Sequence, residues 1–322
     1  MIAFLRLIRI QNLLIIALTQ YAVRWCLVYP IIKVSSRYYD LQLSNLHFFL
    51  LVLSTVMIAA AGYIINDYFD VRIDKVNKPE RMIIDKGVKR RVAIGAHTVI
   101  NFLAIAIAVY VAYVIGSWRL ALIHFICAAG LWFYSTTFKR QFFIGNFVIA
   151  LFTALVPVIA AVYDLLPIYR TYLPIEENLS LLPIWKYVIA FSFFAFITTL
   201  LREIIKDIED VDGDKEFGCK TMPIVIGINA SKNIAIIIAF ATIVCLGYIQ
   251  SEFYKIQDMI SIVYFIVALQ LPLLFLMYKI KIAVVRSQFR FAGNLSKFIM
   301  LMGIFYLLVF AYPILHDFLN VI

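Results

Sequence analysis

The sequence predicts an all-α membrane protein whose helices cross the bilayer several times. Of its 322 residues, 64% are hydrophobic and the mean hydropathy is +0.94, whereas a soluble domain is about half apolar. The apolar runs are long and continuous, while the strands of a membrane barrel alternate in polarity over about ten residues. These observations favour a helical bundle over a soluble domain or a barrel.

Charged residues, Pro and Gly divide the chain into nine candidate membrane spans, each near the ~20 residues that cross the hydrocarbon layer. The predicted spans are 10–32, 46–69, 90–115, 118–138, 142–163, 184–208, 224–250, 258–280 and 295–316. The break at Gly116-Ser117-Trp118-Arg119 is short, so the third and fourth helices are expected to form a tight hairpin. We interpret residues 1–322 as a single domain.

The basic residues predict an orientation in the cell (inner) membrane. If the N-terminus is cytoplasmic, the loops after spans 2, 4, 6 and 8 are cytoplasmic too. Together with the N-terminus and the adjoining helix ends, these loops hold 22 of the 29 Lys and Arg residues. The opposite side holds Arg24, Lys33, Arg37, Arg119, Arg170, Lys186 and Lys255. This asymmetry follows the positive-inside rule and explains the net charge of +10. A nucleic-acid partner is disfavoured, because the charge is spread over loops between hydrophobic spans.

Two acidic clusters of identical spacing end apolar spans on the predicted cytoplasmic side. The first runs from Asn66 to Asp74, with aspartates at 67, 70 and 74, and the second runs from Lys206 to Asp214, with aspartates at 207, 210 and 214. On a helix of 3.6 residues per turn, positions 0, +3 and +7 share one face. An Asp at the centre of a membrane helix costs roughly 2.5–3.5 kcal/mol, so a neutralising partner is expected. For oxygen clusters the simplest partner is Mg²⁺ shared with a phosphate-bearing substrate.

Two such carboxylate sets facing each other would suit a diphosphate. Each Mg²⁺ would take one or two carboxylates plus phosphate oxygens and neutralise charge on a departing diphosphate. An allylic diphosphate would leave a carbocation, which needs a dry site and is stabilised by aromatic faces. The aromatic residues near the clusters are Tyr63, Tyr68, Phe69, Trp132, Tyr134 and Phe194. The basic candidates for diphosphate oxygens are Lys139, Arg202, Lys206, Arg81, Arg72 and Lys78.

These residues resemble the motifs of the UbiA superfamily of intramembrane prenyltransferases. The first cluster is similar to its Asn-Asp-x-x-Asp-x-x-x-Asp signature, and the second is similar to its Asp-x-x-Asp-x-x-x-Asp signature. Further matches are Asn77-Lys78-Pro79-Glu80-Arg81, Tyr134-Ser135 with Lys139, Gly145-Asn146, Gly218 with Thr221-Met222-Pro223 and Gly227, and Arg9 with Asn12. The resemblance covers about residues 5 to 300. One departure is Met82, where the family usually has Pro after the arginine.

The resemblance implies nine helices around a central cavity with a cytoplasmic cap, and it implies roles for particular residues. The catalytic carboxylates would be Asp70, Asp74, Asp210 and Asp214. The Mg²⁺ ligands would be Asn66, Asp67, Asp70, Asp74, Asp207, Asp210 and Asp214. The diphosphate would be bound by Lys139, Arg81, Arg202, Lys206 and Asn12.

The run from Arg202 to Asp214 is most similar to the ether-lipid branch, the geranylgeranylglycerol-phosphate geranylgeranyltransferases. That branch implies transfer of a prenyl group, geranylgeranyl or similar, from an isoprenoid diphosphate donor to a lipophilic or glycerol-phosphate acceptor within membrane lipid. An aromatic acceptor, as in quinone biosynthesis, is the alternative within the superfamily. A cation-coupled transporter is the alternative of another class, but a transporter commonly places its acids near mid-membrane at broken helices.

Overall fold

The computed structural model describes residues 2–35, 38–175 and 180–320, and leaves out the side chains of Arg81 and of residues 315–320. Within this part of the chain the structure is helical, and its one β feature is an isolated bridge between Ile84 and Val88. Nine helices of the described residues are long and apolar enough to cross a membrane. We label them α1 (Ile10–Ser35), α2 (Asn45–Asn77), α3 (Arg90–Val114), α4 (Trp118–Thr136), α5 (Ile144–Tyr172), α6 (Leu182–Glu209), α7 (Ile228–Lys255), α8 (Met259–Ile282) and α9 (Arg286–Ile314). The all-α fold class and the nine predicted spans are confirmed.

Shorter elements join these helices. The helix Ile2–Leu7 precedes α1, while Val211–Glu216 and Met222–Ile226 lie between α6 and α7; α9 itself continues to Asn320. Single 3₁₀ turns are Pro79–Arg81, Trp118–Leu120 and Phe138–Arg140, and π-helical segments are Val23–Val28 and Phe265–Gln270. The connection from α3 to α4 is as short as the sequence predicts, with Gly116 in the left-handed region at φ 68°.

Several helices are longer than the sequence predicts. Helix α2 continues to Asn77, so the first acidic cluster lies inside its last turns. Helix α5 continues to Tyr172, past Asp164 and Pro167, rather than ending at 163. The helix can continue there because Asp164, which is buried, forms an ion pair with Arg24 of α1 at 2.6 Å. Helix α9 begins at Arg286 rather than 295.

The chain forms two compact units, each with its own packing. Unit 1 comprises residues 1–138 and 155–188, and unit 2 comprises residues 139–154 and 189–322. Unit 1 therefore carries the first acidic cluster, and unit 2 carries the second. The single domain over residues 1–322, the central cavity and the cytoplasmic cap stay predictions.

The core of unit 2 depends on small residues where helices approach closely. Leu201, Ile204 and Ile205 of α6 are fully buried, and Gly303 of α9 lies against the ring of Phe194. A Cβ at residue 303 would overlap that ring. Glycine is therefore needed here for its size rather than for its backbone freedom.

Candidate active site

The first acidic cluster sits on the uninterrupted α-helix α2 in unit 1. Because the helix is continuous from Asn45 to Asn77, Asp67, Asp70 and Asp74 share one face, as the spacing predicts. Asn66 Nδ2 donates to Asp70 Oδ2 at 2.9 Å, and both side chains are half-buried. The hydrogen bond holds an amide and a carboxylate side by side one helical turn apart.

Arg9, the residue immediately before α1, contacts this cluster. Its Nη2 donates to Asp67 Oδ1 at 2.7 Å, and its guanidinium carbon lies 4.9 Å from the centre of the Tyr63 ring. Burial lowers the pKa of the Arg9 guanidinium, but Asp67 and Tyr63 together outweigh burial and raise that pKa above its usual value. Asn12 Nδ2 donates to the Tyr63 hydroxyl at 3.3 Å. Asp67 is therefore held by an arginine, whereas Asp70 is held by an amide.

Aromatic residues within and near the first cluster pack on one another in unit 1. Phe69 makes edge-to-face contacts with Tyr68 at 5.3 Å and with Trp132 at 5.8 Å between ring centres. Trp132 also packs on His97. The His97 side chain is buried, and its Nδ1 forms a hydrogen bond with the Ala61 carbonyl at 2.9 Å. Three of the aromatic residues singled out in the sequence thus form one connected group next to the acids.

The helix that carries the second cluster, in unit 2, is interrupted at Asp210, whereas the spacing argument assumes a continuous helix. Helix α6 ends at Glu209 and the helix Val211–Glu216 follows, with Asp210 between them at φ −99° and ψ 6°. The main-chain bonds from Asp210 to Lys206 at 2.9 Å and from Asp214 to Asp210 at 3.1 Å still follow the helical i to i−4 pattern. The main-chain hydrogen-bond pattern is therefore kept across the interruption, and the aspartates keep nearly the predicted helical spacing.

Two side chains from the start of α5 and the turn before it approach this cluster. Asn146 Nδ2 donates to Asp207 Oδ2 at 2.8 Å. Lys139 lies in the turn Phe138–Arg140, and burial, with the nearby charge of Lys206, lowers its pKa to about 7, although Asp214 acts in the opposite direction. An anion at this place would favour the protonated form of Lys139.

The basic residues predicted on α6 are paired with an acid on the same helix. Arg202 Nη1 lies 2.7 Å from one carboxylate oxygen of Glu203, and Lys206 Nζ lies 3.3 Å from the other. Glu203 is buried. A ligand that recruits Arg202 or Lys206 would have to compete with Glu203. The side chain of Arg81 lies outside the described residues.

The structure adds two arginines that the sequence reasoning missed. Arg286 Nη2 lies 3.2 Å from Asp210 Oδ1, and Arg290 Nε lies 3.0 Å from Glu209 Oε1. Both arginines fall within the first two turns of α9, which the sequence assigned to a loop. Their spacing of four residues, which places them on one helix face, is the signal that could have found them.

The oxygen donors of both clusters fit Mg²⁺. In the described part of the chain no three His, Cys, Asp or Glu side chains are grouped to hold a metal ion on their own. Mg²⁺ at phosphate sites usually takes only one or two carboxylates, with phosphate oxygens and water completing its shell. The Asn66–Asp70 pair at 2.9 Å and the carboxylates of the second cluster offer that kind of partial shell.

The fold and these clusters define an integral membrane protein, with nine apolar helices in the described part of the chain and two Asp-rich motifs. The chain belongs to the UbiA prenyltransferase family, whose family model matches residues 38–300. The predicted resemblance to this family is confirmed.

Two similar curated proteins carry the same name. The chain is 34% identical over 187 residues to digeranylgeranylglyceryl phosphate synthase of Thermococcus sibiricus, and the match covers 57% of each chain. It is 32% identical to the synthase of the same name from Saccharolobus solfataricus, over 72% of each chain. The chain thus spans under two thirds of the length of the first relative and more than two thirds of the second.

Solved structures share the fold. A digeranylgeranylglyceryl phosphate synthase structure has a TM-score of 0.59 at 20% identity, covering 96% of this chain and 97% of the other. A UbiA homolog from Archaeoglobus fulgidus bound to DMAPP and Mg²⁺ has a TM-score of 0.56 at 17% identity, covering 93% and 97%. These likenesses confirm the predicted fold.

Proposed function

We propose that this protein is a Mg²⁺-dependent prenyltransferase that moves a geranylgeranyl group from its diphosphate to a glycerol-phosphate acceptor, forming an ether lipid. The observation that carries the proposal is the pair of Asp-rich motifs in a chain of the UbiA prenyltransferase family. The acceptor is supported by the shared name of the curated relatives. The donor class and the metal are supported by homolog structures bound to DMAPP or GPP with Mg²⁺.

In this proposal each acidic cluster holds one Mg²⁺, and the ions supply positive charge that neutralises the departing diphosphate. The ligands would be Asn66, Asp67, Asp70, Asp74, Asp207, Asp210 and Asp214. Asp70, Asp74, Asp210 and Asp214 would be the carboxylates on which turnover depends. Because Arg9 contacts Asp67 at 2.7 Å, Mg²⁺ would share the Asp67 carboxylate with Arg9.

The chain's own side chains would prepare the site before the donor arrives. Asn66 orients Asp70, and Asn146 orients Asp207, through hydrogen bonds of 2.9 and 2.8 Å. Such second partners commonly fix the direction of metal-binding side chains. The diphosphate oxygens would be met by Lys139, Arg81, Arg202, Lys206 and Asn12. Because the pKa of Lys139 is about 7, the incoming diphosphate would draw a proton onto its Nζ.

The reaction would break the allylic C–O bond of the donor, and the electron pair would leave with diphosphate. The acceptor hydroxyl oxygen would form the new ether bond to the allylic carbon, and the hydroxyl proton would pass to the departing diphosphate. The group of Tyr68, Phe69 and Trp132 would keep water away and present ring faces to the developing positive charge. Every step is a displacement, so no oxidant or reductant is required.

The orientation belongs to the same proposal. The basic residues of the loops favour a cell-membrane protein with both motifs facing the cytoplasm. Water-soluble diphosphate would then be released on the cytoplasmic side, while the prenyl chain stays among the apolar helices. A cation-coupled transporter, the alternative of another class, is disfavoured by membership of a family of transferases.

The test is diphosphate release by the purified protein in detergent with Mg²⁺, geranylgeranyl diphosphate and a glycerol-phosphate acceptor. Asp70→Ala and Asp210→Ala should each lower turnover by about a thousandfold or more, since metal charge stabilisation is worth several kcal/mol. Asp212→Ala is the matched control, because Asp212 is exposed and lies outside the 0, +3, +7 positions. Full turnover in excess EDTA, or in either cluster variant, would contradict the metal mechanism.

An acceptor screen tests the ether-lipid assignment separately. Radiolabelled geranylgeranyl and farnesyl diphosphates would be offered with glycerol phosphates, hydroxybenzoate, dihydroxynaphthoate and haem. Labelled product with the glycerol-phosphate acceptor alone is expected. Product with hydroxybenzoate or dihydroxynaphthoate alone would replace the ether-lipid assignment with an aromatic acceptor and leave prenyl transfer intact.

A further inference from the structure

The second acidic cluster contains a buried carboxylate whose neighbouring cation comes from another helix. Asp210 is 9% exposed, and a carboxylate at that depth needs a positive partner or strong hydrogen bonds. In unit 2, Arg286 of α9 contacts Asp210 through Nη2 at 3.2 Å. Arg286 therefore supplies the positive charge beside Asp210.

The geometry of the Arg286–Asp210 contact is that of an ion pair in which another cation could replace Arg286. A guanidinium matched to a carboxylate donates two parallel hydrogen bonds of about 2.7–2.9 Å, whereas the Arg286 contact is longer. The Nε of Arg286 is buried and has no hydrogen-bond partner among the described residues. A buried donor without a partner is costly, so this arginine is incompletely satisfied while it faces Asp210.

We infer that Arg286 is a diphosphate-binding residue that pairs with Asp210 until Mg²⁺ binds there, and that it would then donate to a phosphate oxygen of the prenyl diphosphate. The inference rests on the proposed function. Mg²⁺ on Asp210 would bring two positive charges together and so push the guanidinium away. A diphosphate would then offer oxygens to Nη2 and to the unsatisfied Nε, in the paired geometry that arginine favours.

Arg290 provides a matched control on the same helix. It lies four residues beyond Arg286 and pairs with Glu209 at 3.0 Å, with similar exposure of both partners. Glu209 is adjacent to Asp210 but lies outside the positions that would bind Mg²⁺. Removing either arginine therefore deletes one ion pair between the same two segments, and only one of the pairs involves a metal-binding carboxylate.

The experiment measures binding to the full chain in detergent, with Mn²⁺ as the probe ion. Free Mn²⁺ is followed by electron paramagnetic resonance without diphosphate, and a non-hydrolysable prenyl thiodiphosphate is then titrated calorimetrically at saturating Mn²⁺. Arg286→Gln should bind Mn²⁺ roughly three- to tenfold more tightly, because a nearby like charge is gone. It should bind the thiodiphosphate about tenfold more weakly, because a charge-assisted hydrogen bond is lost. Arg290→Gln should change neither affinity.

If Arg286 had only a structural role, its loss would not change the affinities for Mn²⁺ and for the thiodiphosphate in opposite directions. Any other combination in Arg286→Gln, including two affinities equal to wild type, overturns the inference. If wild-type protein binds both ligands and the variant does not differ, the proposed function stands and only the role of Arg286 fails. If wild-type protein binds neither ligand, both fail.

Arg286→Lys keeps the test decisive if Arg286→Gln does not fold. Lysine retains the positive charge but lacks the forked donors, so Mn²⁺ affinity should stay near that of wild type. The affinity for the thiodiphosphate should still fall. Unchanged affinity for the thiodiphosphate in this variant would also overturn the inference.

Discussion

The buried ion pair between α1 and α5 should make the stability of unit 1 highly sensitive to the loss of either partner alone. Arg24 and Asp164 have side chains 2% and 0% exposed and lie 2.6 Å apart. Arg24 Nη2 also donates to the Leu43 carbonyl at 2.6 Å, and its guanidinium carbon lies 4.4 Å from the centre of the Phe48 ring. The pair thus connects α1 and α5 to the segment before α2.

Removing one partner would leave the other charge buried. Breaking a buried pair in this way costs about 3–5 kcal/mol. Asp164→Ala should fall near the lower end of that range, because Arg24 keeps its bond to Leu43. Arg24→Met should fall near the upper end, because Asp164 Oδ2 already has no hydrogen-bond partner. Replacing both partners by apolar residues of similar volume should leave the free energy of unfolding nearly unchanged, because no buried charge remains.

The assay is equilibrium unfolding of the purified protein in mixed detergent micelles, read as a double-mutant cycle. The cycle should give a coupling energy of about 3 kcal/mol or more between Arg24 and Asp164. Asp40→Ala is the control: Asp40 is 60% exposed in its pair with Lys33, so its loss should cost under about 1 kcal/mol. Additive single-variant effects, or a loss below about 1 kcal/mol in Asp164→Ala, would refute the reasoning.

Three further predictions concern packing, the donor and the metal in unit 2. Gly303→Ala should lower the free energy of unfolding by about 1–3 kcal/mol through overlap with Phe194. Adding Phe194→Leu to that variant should restore part of the loss. An unchanged free energy of unfolding in Gly303→Ala would contradict the close approach. Lys139→Met should weaken binding of a prenyl thiodiphosphate about tenfold, as expected for one lost charge-assisted bond, and equal binding to wild type would remove Lys139 from the site. Asn146→Ala should weaken Mn²⁺ binding by about 10–100-fold because Asp207 loses its orienting partner, and unchanged affinity would show that Asp207 needs no such support.

The membrane fold and the first acidic cluster could be predicted because each depends on local pattern. Apolar runs of sufficient length must become helices to satisfy their main-chain groups in lipid. Asp67, Asp70 and Asp74 need only a continuous helix to share a face, and α2 provides it.

The features that the sequence did not predict depend on partners far away in the chain. Helix α5 continues past Asp164, whose carboxylate is neutralised by Arg24, and no local signal marks the pairing. Arg286 was assigned to a loop because charged residues near a span end usually mark its boundary. Its contact with Asp210 becomes visible only when α6 and α9 are packed together. The pairing of Arg202 and Lys206 with Glu203 could have been expected, since all three are near neighbours on one helix.

Counting bound manganese ions tests the central claim most directly. With a prenyl thiodiphosphate present, the wild-type chain should bind two Mn²⁺ ions, one for each acidic cluster, and Asp70→Ala and Asp210→Ala should each bind one ion fewer. Folded wild-type protein that binds the thiodiphosphate with no Mn²⁺, or variants that still bind two ions, would contradict the account.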